Sequence, residues 1–515
     1  MPKTSNFLYD LIENYYLSNL LQNDFWLFGS RSDIEEPIIS KNTNFEVTDI
    51  LNKTVFGKKF QTLDYSFAIR SIFWSQDTIY QKYDDREDLT NKSFYVVVEP
   101  ESETGQYEVF KCISNNYGTK SQIKPQSNES INQIGGIYSL PDGYIWKFMN
   151  SIPLSVYRKF SARGFIPIPR SAQVESLAND GIDFIEVTNR DSNIGYQIIT
   201  GTVNSKSKTG VYLLDTQGTF LEATNVYKDT VLYAETEEGG VEIYPILGSR
   251  RVGQRLEVTI QGDVFSDLGS EDLIDIQIIP QIVIRGDGTG AKAIPSFTEN
   301  RITSVRMISK GSGYTQAEAE VITPAYFAQL DEMVRNPVTI RPIISPAGGH
   351  GTNVIRELLS NAICLSGSIT SNGTNITDKG TYSTLAMVKN PTFSEGFSAD
   401  SFDNRLTMIL QGTSITSLLV VGDIVSQTHS GETVTGIIHE IVNGNTIKLI
   451  NYTGKSSVGF VSDVQIEVRG NVYNISQINT SSYENGSGKL MYISDFIPVE
   501  RTTEKTEQIK FLLEF

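Results

Sequence analysis

Pro141-Asp142-Gly143-Tyr144-Ile145-Trp146-Lys147-Phe148 is the stretch on which the fold turns. Pro-Asp-Gly supplies a turn, Pro by presetting φ and Gly by relieving the backbone. Tyr144, Trp146 and Phe148 then fall on one face of a strand with period two. The closing stretch repeats this logic, from Ser487-Gly488-Lys489-Leu490-Met491-Tyr492 through Ile509-Lys510-Phe511-Leu512-Leu513-Glu514-Phe515. Ile509, Phe511, Leu513 and Phe515 share one face, with Lys510 and Glu514 on the other, so the terminal segment is expected to be tied into a sheet. Neither block offers a nucleophile, a base or a metal ligand, and both read as scaffold.

Outward from these blocks, most of the chain reads as strands and turns. Ser93–Val98, Tyr107–Ile113, Leu256–Ile260, Ile278–Ile284 and Thr446–Ile450 are strand-like. Turn signals recur at Asp287-Gly288, Asn372-Gly373, Asn443-Gly444 and Asn485-Gly486. That rhythm favours β-sandwiches and small barrels over alternating α/β layers. Two helices are expected. One covers 5–22, with Ser5 as N-cap and Phe7, Leu8, Leu11, Ile12, Tyr15, Tyr16, Leu20 and Leu21 at helical spacing. The other covers 352–362, with Gly348-Gly349-His350-Gly351 as a flexible loop before it. Residues 283–322 and 411–469 read as separate modules, the second with the size and rhythm of a small β-barrel.

The bulk composition narrows the function classes. At 515 residues, the length suggests about three to four domains. With 43 Lys+Arg against 60 Asp+Glu, the net charge is −17, which argues against a nucleic-acid binder. No segment approaches the ~18 apolar residues of a membrane span, and no signal peptide is read at the N-terminus. The two cysteines, Cys112 and Cys364, are expected to be buried free thiols of a chain that folds in a reducing cytoplasm. Asn375-Ile376-Thr377 and Asn451-Tyr452-Thr453 match the glycosylation triplet, and both are read as chance matches.

Sites of chemistry are sparse. Arg285-Gly286-Asp287-Gly288-Thr289-Gly290 follows a strand but opens no helix, so it lacks the helix N-terminus a phosphate loop needs. It has too few carboxylates for calcium and reads as a tight turn. The three histidines, His350, His429 and His439, show no zinc spacing. His429 and His439 could meet across a hairpin, but all three are read as solvated or singly hydrogen-bonded. Asp84-Asp85-Arg86-Glu87-Asp88 reads as a solvated surface turn. No Gly-x-Ser-x-Gly elbow is present. Aromatics are numerous, with 24 Tyr and 25 Phe. Some are expected at protein interfaces, and Phe25-Trp26-Leu27-Phe28-Gly29-Ser30-Arg31 is one dense cluster.

Several segments, taken in order, resemble the gene 8 baseplate wedge protein family of T-even-type contractile-tailed bacteriophages. They are Phe25 to Arg31, Tyr107 to Ile113, Asp142-Gly143-Tyr144-Ile145-Trp146, Ile152-Pro153, and Gly164-Phe165-Ile166-Pro167-Ile168-Pro169. Ala386-Met387-Val388-Lys389-Asn390-Pro391 and the closing Ser487 to Phe515 complete the set. The resemblance covers about 1–170, a stretch near 380–395, and 486–515. Residues 171–345 and 404–485 look like insertions. It implies a non-enzymatic virion protein that joins other wedge proteins in a six-fold baseplate and pairs with a second copy of itself. It supplies no catalytic, cofactor or metal residues to carry over.

The expected fold is mainly β, α+β with few helices, a multi-domain β-sandwich core with two inserted β-rich modules, one a small barrel. The expected divisions are 1–170 as the N-terminal part of the core, 171–345 as an inserted module, and 346–403 as a helix and return to the core. Residues 404–485 form an inserted small barrel, and 486–515 supply the closing strands. The expected function is structural: a baseplate wedge component that links other wedge proteins and rearranges on host attachment. No enzymatic site, cofactor or metal is expected, and neither nucleic acid nor membrane is expected as a partner. Localisation would be the virion, after assembly in the host cytoplasm. The alternative is a tail-associated carbohydrate-binding protein or depolymerase.

Overall fold

The computed structural model describes residues 11, 18–30, 51, 53–84, 87–127, 136–176, 178, 180–207, 210–214, 220–236, 241–261, 273–330, 335–369, 380–453, 459–501 and 506–515. The protein is mainly β with many antiparallel sheets. Among the described residues the α-helices are short: Ser18–Gln22, Leu154–Phe160, Ala172–Ser176 and Val354–Glu357.

The core is a sandwich of two sheets. The five-stranded sheet runs in the order Ser401–Asp403, Thr54–Lys59, Phe25–Ser30, Gly380–Lys389, Lys489–Arg501. The four-stranded sheet runs Glu507–Glu514, Ala362–Ile369, Tyr65–Arg70, Phe165–Pro167. Leu27, Phe56 and Met387 of the first pack against Ile363, Leu365 and Phe511 of the second. The central strand Phe25–Ser30 obeys period two: Phe25 and Leu27 enter this interior, while Trp26 and Phe28 enter a second cluster with Phe402 and Tyr483. Gly29 is required there, because a Cβ would lie 2.2 Å from the Phe56 ring. All of Phe25–Ser30 is buried, so this cluster is core rather than an interface; Arg31 lies outside the described residues.

The quoted Pro-Asp-Gly turn opens the strand Tyr144–Pro153. Gly143 adopts φ +85°, and a Cβ on it would lie 2.5 Å from the Asn116 side chain. Asp142 fixes the turn by accepting from the N–H groups of Tyr144 (3.1 Å), Gln122 (2.8 Å) and Ile123 (3.1 Å). Tyr144–Pro153 belongs to a third sheet, ordered Tyr95–Val98, Gln106–Asn115, Tyr144–Pro153, Ile137–Ser139. Tyr144 stacks on Trp146 at 5.4 Å, and Phe148 meets Phe110 at 5.7 Å, so the expected aromatic face is buried as a unit.

The closing strand Glu507–Glu514 pairs antiparallel with Ala362–Ile369 and forms the sheet edge. Phe511 is buried, and Ile509, Leu513 and Phe515 are half-buried against the same interior. Its opposite face is not purely polar, since Leu512 packs on Ala68, Phe165 and Ala362.

Two seven-strand sheets lie outside the sandwich, and each closes on itself. The first has the order Ile199–Thr200, Leu273–Pro280, Thr230–Thr236, Val241–Val252, Arg255–Ile260, Gly210–Leu214, Thr202–Ser207. Its two outermost members are one chain segment interrupted at Gly201, so that segment pairs with both ends and makes a barrel. Val211, Leu232, Leu256 and Ile276 fill it. The second has the order Asn471–Tyr473, Ile466–Val468, Ile424–His429, Glu432–Ile441, Thr446–Thr453, Leu406–Leu410, Ile475–Asn479. The same device recurs, with one segment broken at Asn474 pairing at both edges. Met408, Val425, Ile438, Ile447 and Leu449 fill this barrel. Closure leaves neither sheet a long free edge.

Two local expectations differ from the structure, and a third lies mostly outside the described residues. Of the helix read over 5–22, only residue 11 and Ser18–Gln22 are described, and both are helical. The helix read over 352–362 contracts to Val354–Glu357. Leu359 takes φ +52°, Ser360 Oγ bonds Ala68 O at 2.7 Å, and Ala362 already belongs to a strand paired on both sides. Sheet pairing has overridden helical periodicity. The strand read over Ile278–Ile284 is two strands, Leu273–Pro280 and Ile282–Gly286. The turn Asn372-Gly373 and the triplet Asn375-Ile376-Thr377 lie outside the described residues.

Candidate functional site

The third sheet carries two lysines in strands that are otherwise apolar. Lys111 and Lys147 are cross-strand partners, 0% and 2% exposed. Like charges opposite one another in a dry interior are destabilising, so carboxylates must come from elsewhere. They arrive from two distant segments. Asp183 sits on the strand Ile182–Val187, and Glu357 ends the short helix Val354–Glu357. His350 stands between them, 2% exposed. The glycines around it form a clamp rather than a flexible loop. Gly348, Gly349 and Gly351 all have positive φ, and a Cβ on Gly351 would lie 2.8 Å from Val174.

Lys111 Nζ donates to Glu357 Oε2. His350 Nε2 contacts Asp183 Oδ2, while His350 Nδ1 stands 3.6 Å from Glu357 Oε2. Glu357 Oε1 accepts from the backbone N–H of Gly351 (2.8 Å) and of Asn353 (3.3 Å). Asp183 Oδ1 accepts from Ser345 Oγ (2.7 Å), with Lys310 Nζ at 3.4 Å. The Tyr83 ring lies 4.3 Å from Lys111 Nζ and 5.3 Å from the His350 ring. Among the described residues His350 Nδ1 has no hydrogen-bond partner.

Burial raises both carboxyls, but the charges around them prevail. Lys111 and His350 hold Glu357 at about 2, and His350, Lys310 and Ser345 hold Asp183 at about 2. At Lys111, burial outweighs the attraction of Glu357 and lowers the ammonium. Burial, with Lys111 alongside, pulls Lys147 down to about 8. Every centre of the cluster except Lys310 is closed to solvent, so its chemistry is confined to its own members.

A second network sits where the second barrel leaves the sandwich. Arg405 is fully buried and grips Asp403 with both arms of its fork, Nε to Oδ1 and Nη2 to Oδ2, each at 2.8 Å. Its Nη1 reaches Glu440 Oε2 at 2.5 Å and His439 Nδ1 at 3.4 Å. Lys448 Nζ completes the ring to Asp403 Oδ2 at 2.9 Å. Burial raises the Asp403 carboxyl, but Arg405 and Lys448 outweigh it and leave it lowered.

The histidines therefore divide. His350 is buried among two carboxylates, not solvated. His439 is buried beside Arg405. His429 is singly hydrogen-bonded, to Gly459 O at 2.9 Å. His429 and His439 do not meet, because His429 pairs with Glu432 at one end of the hairpin and Ile424 with Ile437 at the other. Asp84 is likewise no solvated turn residue. It is 1% exposed and pairs with Arg341 at 3.1 Å, which also holds Glu186 at 3.1 Å. Asp85 and Arg86 lie outside the described residues. Cys112 and Cys364 are buried free thiols, Cys364 Sγ donating to Leu365 O at 3.8 Å; burial raises the first thiol well above its ordinary value and pushes the second to about 11. The Arg285–Gly290 stretch is a turn held by Asp287, which accepts from Thr315 N (2.9 Å), Thr315 Oγ1 and Gln316 N (3.1 Å).

Lys111, Lys147, Asp183, Glu357 and Arg405 were all missed in reading the sequence, and the Tyr144–Phe148 block taken as pure scaffold contains one of them. The available signal was a lysine inside each of two apolar strands, Tyr107–Ile113 and Tyr144–Phe148. A buried lysine needs a carboxylate, but nothing local names which one.

Clefts of about 320, 430 and 470 Å³ lie among the described residues, and none of these is lined by a member of the Lys111 cluster. Among the described residues no group of His, Cys, Asp or Glu is arranged to hold a metal ion, and no helix is long and apolar enough to cross a membrane. Comparison with protein-family models and with curated proteins yields no match.

Proposed function

We propose that this protein is a structural component of a contractile phage tail baseplate wedge, joining other wedge proteins and a second copy of itself. One observation carries the reading. Four of the stretches that resemble the gene 8 wedge family, those holding Phe25–Ser30, Phe165–Pro167, Gly380–Lys389 and the closing strands, lie far apart in sequence yet converge in one sandwich, while those holding Tyr107–Ile113 and Tyr144–Pro153 share the third sheet. Phe25–Ser30 pairs with Gly380–Lys389, which pairs with Lys489–Arg501. Glu507–Glu514 joins the sheet that holds Phe165–Pro167. Both closed barrels fall in the stretches without resemblance, 171–345 and 404–485. That is the pattern of a shared core with additions. Further support comes from Lys489–Arg501, which is paired on one side among the described residues and exposes Met491, Tyr492 and Ile497. An open strand edge with apolar side chains is suited to protein assembly.

The test is co-expression with the proteins encoded beside its gene, followed by sizing. A stable complex containing a dimer of this chain is expected. A chain that stays monomeric with every neighbour, and instead turns over host polysaccharide with loss of activity on a single carboxylate substitution, overturns the proposal in favour of a depolymerase.

A further inference from the structure

We infer that Lys111 and Glu357 are the reacting pair of an intramolecular amide cross-link, formed by the protein on itself. The two side chains are 246 positions apart, are in contact, and are 0% and 6% exposed. The surroundings are those an acyl transfer to an amine needs. The two oxygens of Glu357 are distinguished: Oε1 is held by two backbone N–H groups, from Gly351 and Asn353, and Oε2 lies between Lys111 Nζ and His350 Nδ1. Oε1 is therefore the oxygen that stays as the carbonyl, with N–H donors to stabilise the charge it carries in the tetrahedral intermediate. Oε2 is the oxygen that leaves.

The ion pair is the resting state, and the step begins when Lys111 passes a proton to Oε2 inside the pair. Burial moves Lys111 toward the neutral amine that attacks, while the charges around Glu357 keep its resting carboxylate ionised, so this proton transfer is the uphill part of the step. The amine nitrogen attacks Glu357 Cδ and forms the N–C bond. A second proton passes from that nitrogen to Oε2, relayed by His350, whose Nδ1 stands 3.6 Å from Oε2 and has no hydrogen-bond partner among the described residues. The C–Oε2 bond breaks and water departs. The three protons of the ammonium are accounted for: one remains on the amide and two leave with Oε2. No oxidant or cofactor is needed, and His350 ends as it began. Asp183 is a positioning residue, fixing the ring through Nε2 while Ser345 and Lys310 fix Asp183. The product would tie the His350–Glu357 segment covalently to the third sheet, independently of whether the protein works in a baseplate.

The test is the intact mass of the purified, denatured full-length protein, followed by peptide mapping. The expected mass is one water below that of the sequence, with the peptide containing Lys111 joined to the peptide containing Glu357. Glu357→Ala and Lys111→Arg should restore the full mass, and His350→Asn should slow the loss during maturation. The wild-type measurement alone decides the matter if a variant fails to fold. A full-length mass equal to the sequence, with both linear peptides recovered, overturns the inference. So does a water loss that maps to an Asp-Gly site such as Asp142-Gly143 or Asp287-Gly288.

Discussion

The cluster around Glu357 and the one around Arg405 solve the same problem with different chemistry. Each joins a segment outside the sandwich to a neighbouring sheet, and each sets buried charge beside the apolar contacts, Ile450 at the barrel and Val354 and Ile355 at the helix. Around Arg405 the cation is a guanidinium, permanently charged and bonded through a planar fork. Its protons have nowhere to go, and the network can only hold. Around Glu357 the cations are ammonium groups, the acids are held at about 2, and an imidazole stands between them. Lys111 with Glu357, and His350 with Asp183, are hydrogen-bonded pairs in which a proton can pass. The barrel of residues 406–479 is thus fastened by a fixed clamp, and the segment carrying Asp183 and Lys310 by groups capable of reaction.

The comparison breaks most visibly if either centre is removed. Arg405→Ala leaves Asp403 and Glu440 short of their main partner, and Glu357→Ala does the same to Lys111. Removing one member of a buried pair costs about 3–5 kcal/mol, and both should fall in that range in denaturant unfolding. Their locations should differ. Hydrogen exchange should show Arg405→Ala loosening Leu406–Leu410 and Thr446–Thr453, and Glu357→Ala loosening Gln106–Asn115 and Ala362–Ile369. Arg405→Lys should recover little, because a point charge cannot replace the fork. Glu357→Gln should recover more, because its amide oxygen can still accept from Gly351 and Asn353. Losses below about 1 kcal/mol at both sites would place these networks with ordinary surface pairs.

A smaller effect separates the two through pH. Lys147 titrates at about 8 in the folded protein and near 10.4 when unfolded. Between those values the unfolded chain binds a proton that the native state has released, so Lys147 makes stability rise with pH. Across the whole interval the size is about 3 kcal/mol at 1.36 kcal/mol per pKa unit. Cys112 and Cys364, both raised, pull the other way as their unfolded thiols ionise. The informative quantity is therefore the difference between wild type and Lys147→Met, in which the thiols cancel. Wild type should gain stability relative to Lys147→Met from pH 7.5 to 9.5. No comparable change is expected for Arg405→Met, because a guanidinium does not titrate there. A flat Lys147 difference would remove the claim that this network holds an exchangeable proton.

Much of the architecture could be read in advance because it rests on local rules. Period two in Phe25–Ser30 and Tyr144–Phe148, and turn chemistry at Asp142-Gly143, are written in neighbouring residues. The mainly β class and the small barrel followed from them. What could not be read was long-range. His350 looked like a loop residue between glycines, and only the fold brings Asp183 and Glu357 to its two nitrogens. Asp84 looked like part of a surface charge run until Arg341 arrived from 257 positions away. Val354, Ile355, Leu358 and Leu359 do have helical spacing, yet Ala362–Ile369 needed two sheet partners and took the chain away from the helix. Periodicity reports which face is apolar. It does not report which distant segment will claim it.

That short helix supplies the finest test of the comparison. Asn353 caps Val354–Glu357, its side chain accepting from Arg356 N at 3.0 Å, and its own N–H bonds Glu357 Oε1. A helix of one turn has almost no stability of its own, so the cap and the buried face of Val354 and Ile355 hold it in place. Asn353→Ala removes the side-chain acceptor but keeps the backbone N–H, and should cost about 1 kcal/mol. If the Glu357 cluster depends on exact placement of Oε1, the variant should also slow the loss of water at Lys111 while leaving the Arg405 region unchanged. Asn353→Asp and Asn353→Ser, which retain a capping oxygen, should restore both stability and rate. An alanine variant that loses stability but forms the cross-link at the wild-type rate would show that the cap supports the helix alone, and that the cluster, through Lys111 and His350, positions Glu357 without it.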